Sequence, residues 1–532
     1  MIPQTHLVAA LDFPLWLAAG RPLELGDLPV VGLYLLILAL LSIFGFHRYQ
    51  LLYLYRKHRD GVTAAPVVRF AALPRVTVQL PIYNERFVVA ELIEAVCRLD
   101  YPRELLQIQV LDDSTDDTVE VARAAVEHWA GLGYPIDYLH RPHRQGYKAG
   151  ALAEGLKSAC GEFIAIFDAD FSPHADFLHL TIHHFSDPAV GMVQARWSYR
   201  NRGQSLLTQV QAMFLDGHFV FEHGARARSG RFFNFNGTAG VLRRTMVEDA
   251  GGWQHDTLTE DTDLSYRAQM RGWKFIYRPD IEVPSELPTE MASFHAQQAR
   301  WAKGLIQTAK KLLPRLLRCD LPLATKIEGA YHLGANISFP LMLLLTAIML
   351  PAVSVRFSEN DPRLLWIDLP LFFATFSSIS GFYVLAQREL FPQNWKQRIP
   401  LVPLLLAVGI GLTFSNTKAV IEALLGIASP FQRTAKYASG RGSDSALRKR
   451  YRARAGVFPF ANLAAGLYFA AAAIYSIEIG NWPSLPFLTL FAFGFGYTGI
   501  VGLWQAFEHR RPAVGGLGMG DESIASSAGR IA

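Results

Sequence analysis

Long apolar stretches, each close to the ~20 residues that cross a bilayer, begin at Leu28, Gly329, Leu369, Ile399, Ala455 and Gly480. The first stands alone and the others crowd the C-terminal part. Between them, over 56–328, charges recur at short intervals, so no segment there suits a bilayer and the region reads as one soluble domain. Inside it the periodicity changes type repeatedly. Runs rich in β-branched residues at 76–80 and 108–111 lead through polar turns into helical periodicity at 91–98 and 118–129. Further apolar runs at 163–167 and 191–195 continue the series. Strand, turn and helix in repetition predict an α/β domain on a parallel-rich sheet, in which ligands gather beyond the carboxyl ends of the strands.

Composition agrees with that division. Of 532 residues, 51% are hydrophobic and 18% charged, which suits a membrane protein better than a purely soluble one. No Lys or Arg precedes Arg21, unlike the basic start of a secretory signal, and 28–46 is therefore expected to remain as an anchor. His47-Arg48 and Arg56-Lys57-His58-Arg59 follow it, so the positive-inside rule puts the soluble domain in the cytoplasm. If every apolar stretch crossed fully, the strongly basic 432–454 would lie outside, against the same rule. The stretch from Ile399 is interrupted by Asn416 and Lys418 and continues amphipathically.

The resulting expectation is five spans plus one interfacial or re-entrant element. It divides the chain into an N-terminal segment with the first span (1–55) and a cytoplasmic domain (56–328) carrying an interfacial helix near 291–313. A membrane region (329–508) follows, with an interfacial helix near 415–427 and a basic loop at 428–455, and then a cytoplasmic tail (509–532) that reads as disordered from Gly515. Cys97, Cys160 and Cys319 lack metal-ligand spacing and read as reduced residues. The net charge of +5 comes from residues clustered beside the apolar spans, which points to membrane lipid as a partner and not to nucleic acid.

Four polar strings carry candidate chemistry. Asp112-Asp113-Ser114 follows a strand, where its oxygens would hold the base and ribose of a nucleotide or cap the next helix. Asp168-Ala169-Asp170 ends an apolar run. Two carboxylates there suit a hard divalent cation that also takes phosphate oxygens, although a solvated loop has the same appearance. Thr259-Glu260-Asp261 opens a helix expected over 264–270, with Thr259 as N-cap and acidic residues favoured by the helix dipole. The same string would make Asp261 a general base toward a hydroxyl. Gln297-Gln298-Ala299-Arg300-Trp301 lies on an amphipathic stretch. Trp could stack on a pyranose and Arg could fork onto a diphosphate, or both could mark the lipid headgroup boundary.

In order and spacing these strings, with Pro81-Ile82-Tyr83-Asn84-Glu85, Arg144-Gln145-Gly146-Tyr147-Lys148-Ala149-Gly150 and Asn236-Gly237-Thr238-Ala239-Gly240, resemble the processive branch of glycosyltransferase family 2, which holds cellulose synthases, cellulose synthase-like proteins and hyaluronan synthases. The resemblance implies a membrane-embedded inverting glycosyltransferase with a GT-A type, Rossmann-like cytoplasmic domain inserted between transmembrane helices, placed in a cell inner membrane. It implies that Tyr83, Glu85, Asp112, Asp113 and Lys148 contact the nucleotide, and that Asp168 and Asp170 engage the sugar diphosphate and Mg²⁺ or Mn²⁺. Asp261 would be the base, with Glu260 the neighbouring carboxylate. Gln297 and Arg300 would bind diphosphate, and Trp301 would stack on the acceptor sugar. Asn236, Gly237 and Thr238 would lie at a short helix supporting the acceptor end.

Phe431-Gln432-Arg433-Thr434-Ala435-Lys436 resembles the gating motif of cellulose synthases, departing from it at Arg433, where a Val is common. It would place Arg433, Thr434 and Lys436 on the nucleotide sugar, although a basic loop anchored to anionic lipid has the same sequence character. The strings around Asp112 and Lys148 are most similar to cellulose synthase-like enzymes that make mannan or glucan backbones. UDP-glucose or GDP-mannose is then the expected donor and a growing β-linked polysaccharide the acceptor, coupled to export. Non-processive relatives that glycosylate a ceramide or diacylglycerol type lipid share these motifs and form the alternative.

Overall fold

The computed structural model describes residues 28–61, 66, 68–357, 365–429, 436, 456–478 and 480–510. The soluble part is built on one seven-stranded sheet, formed by β1 (Val76–Ile82), β2 (Leu106–Asp112), β3 (Ile136–His140), β4 (Phe163–Ile166), β5 (Val190–Tyr199), β6 (Gly240–Arg243) and β7 (Lys274–Ser285). Their order is β3-β2-β1-β4-β6-β5-β7. β1, β2, β3 and β4 run parallel, β6 runs antiparallel to both its neighbours, and β5 and β7 pair in parallel. β3, β6 and β7 were not anticipated from periodicity: each is short, edge-like or strongly polar, so its pattern is weak.

Both faces of the parallel half are covered, and the polar residues that alternate along β1 and β2 pair across the strands, Thr77 with Gln107 at 2.9 Å and Gln79 with Gln109 at 3.0 Å. Val78, Leu80, Ile108 and Val110 pack under the helices Val89–Cys97 and Thr118–Gly131. On the opposite face Leu111, Ile164 and Ile166 meet Ala149, Ala151 and Leu152 of the helix Tyr147–Ser158. With helices holding the sheet rigid from both sides, the loops after β1, β2 and β4 share one edge.

Around this domain stand long helices. Leu28–Lys57, Leu323–Met349, Phe458–Glu478 and Trp482–Glu508 are each long and apolar enough to cross a membrane, and Trp395–Gly411 with Thr413–Leu425 forms a fifth such unit, bent by 43°. The stretch expected from Leu369 lies in the 26-residue helix Leu365–Leu390. The anchor runs to Lys57, beyond its expected end, because Leu51, Leu54 and Tyr55 continue its buried face against Val210, Met213 and Phe221 of the soluble domain.

The helix expected to be interfacial spans Met291–Arg318. Its Ala302 and Ile306 pack on Ala419, Val420 and Ala423 of Thr413–Leu425, and Lys303 pairs with Glu422 at 2.8 Å. Lys310 donates to the carbonyls of Ala423 and Leu424 at 3.1 and 2.7 Å, satisfying the helix end where its dipole favours a cation. Arg433 and Thr434, most of the loop 428–455, the first 27 residues and the tail beyond Arg510 lie outside the described residues.

Candidate active site

The loops at the carboxyl edge of β1, β2 and β4 are tied together before any ligand is considered. Asn84, at φ +53° after β1, donates its N–H to Ser114 Oγ at 2.7 Å and accepts the Thr115 N–H at 2.8 Å. Asp113 receives a two-pronged bond from Arg141 at 2.7 and 2.5 Å, and Arg144 lies 3.4 Å from the centre of the Tyr83 ring. These bonds hold Tyr83, Glu85 and Asp113 on the wall of a cavity of about 180 Å³.

Asp112 corrects its expected role. It is fully buried, and its carboxylate accepts the Ser114 N–H at 2.8 Å and the Tyr138 hydroxyl at 2.6 Å. Because side chains alternate along a strand, the last residue of β2 turns inward and organises the turn, while Asp113 reaches the cavity.

At the end of β4, Asp168 and Asp170 face the same cavity. Lys148 Nζ lies 2.5 Å from Asp168 Oδ1 and 2.9 Å from the Gly237 carbonyl. Burial works against its charge, yet Asp168, Glu260 and Asp261 outweigh that and keep its pKa above the ordinary lysine value. Asp170 Oδ2 accepts from Lys436 Nζ at 2.6 Å and from the Glu286 N–H at 3.1 Å, and Lys436 also reaches the Glu286 carbonyl at 2.5 Å. Among the described residues no three His, Cys, Asp or Glu side chains gather as a metal cage. The chain thus offers a hard cation two carboxylates, which is the donor set for Mg²⁺ or Mn²⁺ completed by water and phosphate oxygens.

The opposite wall is made by the turn 236–239, the helix Glu260–Met270 and the interfacial helix. The turn lies beside the start of the helix Glu260–Met270, with Gly237 close to Asp261. Gly237 and Ala239 take φ +80° and +55°, and Ala239 donates back to Ile166 O, so the segment curls beside β4 instead of winding. A β-carbon at Gly237 would lie 2.9 Å from Asp261 Oδ2 and 3.2 Å from Lys148 Nζ, and the positive φ strains any L side chain there, so the position favours glycine. Asn236 and Gly237 line the cavity. Thr238 does not: it is fully buried, and its hydroxyl accepts the Asp168 N–H at 2.9 Å, so it positions a carboxylate and not an acceptor.

The second helix begins at Glu260, earlier than expected. Thr259 holds the N-cap position without capping, because its hydroxyl pairs with Thr308 at 3.1 Å where Gly304 lets the interfacial helix approach closely. A β-carbon there would stand 2.5 Å from Thr259 Cγ2. This contact fixes Glu260 and Asp261 relative to Gln297, Arg300 and Trp301, all of which line the cavity.

Asp261 accepts the Thr262 N–H at 2.6 Å. Burial and the adjacent Glu260 push its pKa up to about 7, against the pull of Lys148. Burial also raises Glu260 and lowers Arg300, whose charge Glu260 and Asp168 support. A carboxyl poised near neutrality beside two cations is what a general base requires.

Apart from Asp112 and Thr238, every site residue expected from sequence that lies among the described residues converges here. Motif reading missed Arg141, Arg144, Trp197, Tyr199 and Glu286. Arg144 stands in the quoted string with Lys148, and Glu286 follows β7, so strand-end position was the available signal.

A family model described as glycosyltransferase like family 2 matches residues 74–304. The chain is 46% identical over 261 residues to glucomannan 4-beta-mannosyltransferase 1 of Oryza sativa subsp. japonica, a match covering 48% of this chain and about half, 50%, of that protein's length. It is 32% identical over 467 residues to glucomannan 4-beta-mannosyltransferase 1 of Cyamopsis tetragonoloba, covering 84% of this chain and 86% of that protein. Among solved structures, mannosyltransferase PcManGT from Pyrobaculum calidifontis, in complex with GDP-Man and Mn²⁺, aligns at a TM-score of 0.48 and 24% identity, covering 68% of this chain and 99% of that one.

Proposed function

The chain belongs to glycosyltransferase family 2, in its cellulose synthase-like branch, and from that premise we propose that it transfers a hexose from a nucleotide sugar to the end of a β-linked polysaccharide by one inverting displacement. The observation that carries this reading is the meeting of Asp168 and Asp170, Asp261, Arg300 and Trp301 around one cavity. The names of the relatives specify 4-β-mannosyl transfer into glucomannan, which puts GDP-mannose ahead of UDP-glucose as donor.

In this reading Tyr83, Glu85 and Asp113 seat the nucleotide, and Trp301 stacks on the terminal acceptor sugar. The acceptor hydroxyl attacks the anomeric carbon as its proton passes to Asp261. The bond between that carbon and the phosphate oxygen breaks on the opposite side, so configuration inverts and the nucleoside diphosphate departs. Arg300, Gln297 and Lys436 bind the departing diphosphate. A Mg²⁺ or Mn²⁺ held by Asp168 and Asp170 would supply further neutralisation of its charge.

A second cavity, of about 330 Å³, shares Leu258 and Arg300 with the first and continues between the interfacial helix, Thr413–Leu425 and the two C-terminal helices. It supports export of the product through the membrane region, with the catalytic domain cytoplasmic. Purified protein in lipid, incubated with labelled GDP-mannose, UDP-glucose and related donors, should yield a polymer whose length is read by gel filtration and whose linkage is read by β-1,4-specific hydrolases. A product that partitions with lipid and carries one sugar would replace the polysaccharide reading with a lipid acceptor.

A further inference from the structure

Behind the acceptor wall lies a row of polar groups that the proposed chemistry does not use. The excursion between β5 and β6 winds into a π-helical turn, His218–His223, a rare form that is frequent at functional sites. His218 Nδ1 lies 2.8 Å from Glu222 Oε2, and His218 Nε2 lies 3.1 Å from Asn236 Nδ2. Glu222 is followed by Arg226 at 3.9 Å, Arg226 by Glu328 at 3.0 Å, and Glu328 by His47 of the anchor helix at 3.0 Å. One row of charges therefore runs from the first membrane helix to a residue on the cavity wall.

The direction of the bonds follows from chemistry. Burial opposes the Glu222 charge, but His218 and Arg226 more than compensate and hold the carboxyl well below its usual range. An ionised carboxylate only accepts, so Nδ1 of His218 carries the proton. The structure sets Asn236 Nδ2 against Nε2, a contact in which the amide N–H donates and the ring nitrogen accepts. The Asn236 backbone N–H is already given to Gln194 Oε1 at 3.0 Å, which fixes the main chain at the same point.

The carboxamide is left with a second N–H, and among the described residues its buried Oδ1 has no hydrogen-bond partner. A native structure seldom leaves such an acceptor unmatched, because the group loses its water without recompense. A sugar hydroxyl, donor and acceptor at once, is the complement of a carboxamide held in one orientation.

We propose that Glu222 and His218 are positioning residues that lock the Asn236 carboxamide in the orientation that receives a hydroxyl of the acceptor sugar. The inference rests on the glycosyltransferase reading above. It assigns Asn236 the contact with the acceptor and His218 an action only through Asn236.

A double-mutant cycle in lipid-reconstituted protein tests this, with a β-1,4-linked mannooligosaccharide as acceptor and nucleoside diphosphate affinity as the second measurement. Asn236→Ala and His218→Ala are each expected to lower kcat/KM for the acceptor by roughly tenfold, the scale of one buried hydrogen bond. The double variant should be no worse than either single change. His218→Gln, whose amide can still accept from Asn236 and donate to Glu222, should recover part of the loss, and nucleoside diphosphate affinity should stay unchanged in all of them. Multiplicative losses in the double variant, or a parallel fall in nucleotide affinity, would overturn the positioning role. Absence of transfer by the unaltered protein with every donor would instead overturn the reading on which it rests.

Discussion

The two walls of the cleft are made in different ways. The donor wall stands on the ends of β1, β2 and β4, parallel strands clamped between helices on both faces. The acceptor wall is gathered from the turn 236–239, the start of the helix Glu260–Met270 and the helix Met291–Arg318, which packs on Thr413–Leu425. Groups on the first wall are placed by a rigid sheet and, in the proposed reading, share one charged ligand. Those on the second depend on contacts between elements far apart in the chain, such as Gly304 against Thr259. Damage on the donor side should therefore be all or none, and damage on the acceptor side should be graded.

The largest effect is expected from Asp168→Ala or Asp170→Ala. Either change removes one of the two carboxylates available to the cation, and transfer should fall below detection while the protein still elutes as a folded species. Excess chelator should do the same to the unaltered protein, and full turnover in chelator would remove the metal from the mechanism.

Asp261→Asn comes next. It preserves shape but cannot take a proton, so the rate should fall by ~10²–10⁴, the usual worth of a general base, while nucleotide binding measured by calorimetry persists. Retention of near-normal transfer would send the search to Glu260 or Asp263.

The pH profile sharpens the same point. Burial and Glu260 raise Asp261 to about 7, and only its deprotonated form can act as base. Activity should thus level off above that pH and fall about tenfold per unit below it. A profile without that limb would argue against Asp261.

Trp301→Ala should cost on the order of 1 kcal/mol in acceptor binding, as expected for loss of a stacking surface. It should shorten the product as well as slow transfer, with nucleotide affinity intact; unchanged length would make Trp301 a membrane-interface residue. The smallest effect is expected at Lys436, whose ammonium lies 2.6 Å from Asp170 and opposes a cation there. Lys436→Gln should tighten Mn²⁺ binding in the absence of donor, read as free Mn²⁺ by electron paramagnetic resonance. Weaker Mn²⁺ binding would mean that Lys436 assists the site.

The donor wall was legible from sequence because a parallel strand followed by a polar turn leaves a local signature, and its functional groups sit within a few residues of that turn. Legibility stopped at the direction of each side chain. Asp112 and Asp113 are adjacent, yet strand alternation buries the first in a bond to Tyr138 and gives the second to the cavity. Thr238 lies inside a recognised string and turns away to hold the Asp168 N–H.

The acceptor wall was legible only as separate strings. That the helix Glu260–Met270 meets the interfacial helix at Gly304 depends on a close approach that no local pattern encodes. The row from His47 to Asn236 left no trace in periodicity, because its members come from the anchor helix, the excursion after β5 and the stretch around Glu328, each placed by packing.

Sequence alone determined the order of apolar and charged regions, the existence of an α/β domain between membrane-compatible helices, and the residue types offered to a diphosphate and a base. Those properties are set by composition and by spacing along the chain. Tertiary structure decided which carboxylates face the cavity, why Asp261 is raised while Asp112 is spent on a turn, and how Lys436 comes to lie on Asp170. Burial, alternation and long-range contact fix a side chain's surroundings, and these exist only once segments distant in sequence have packed together.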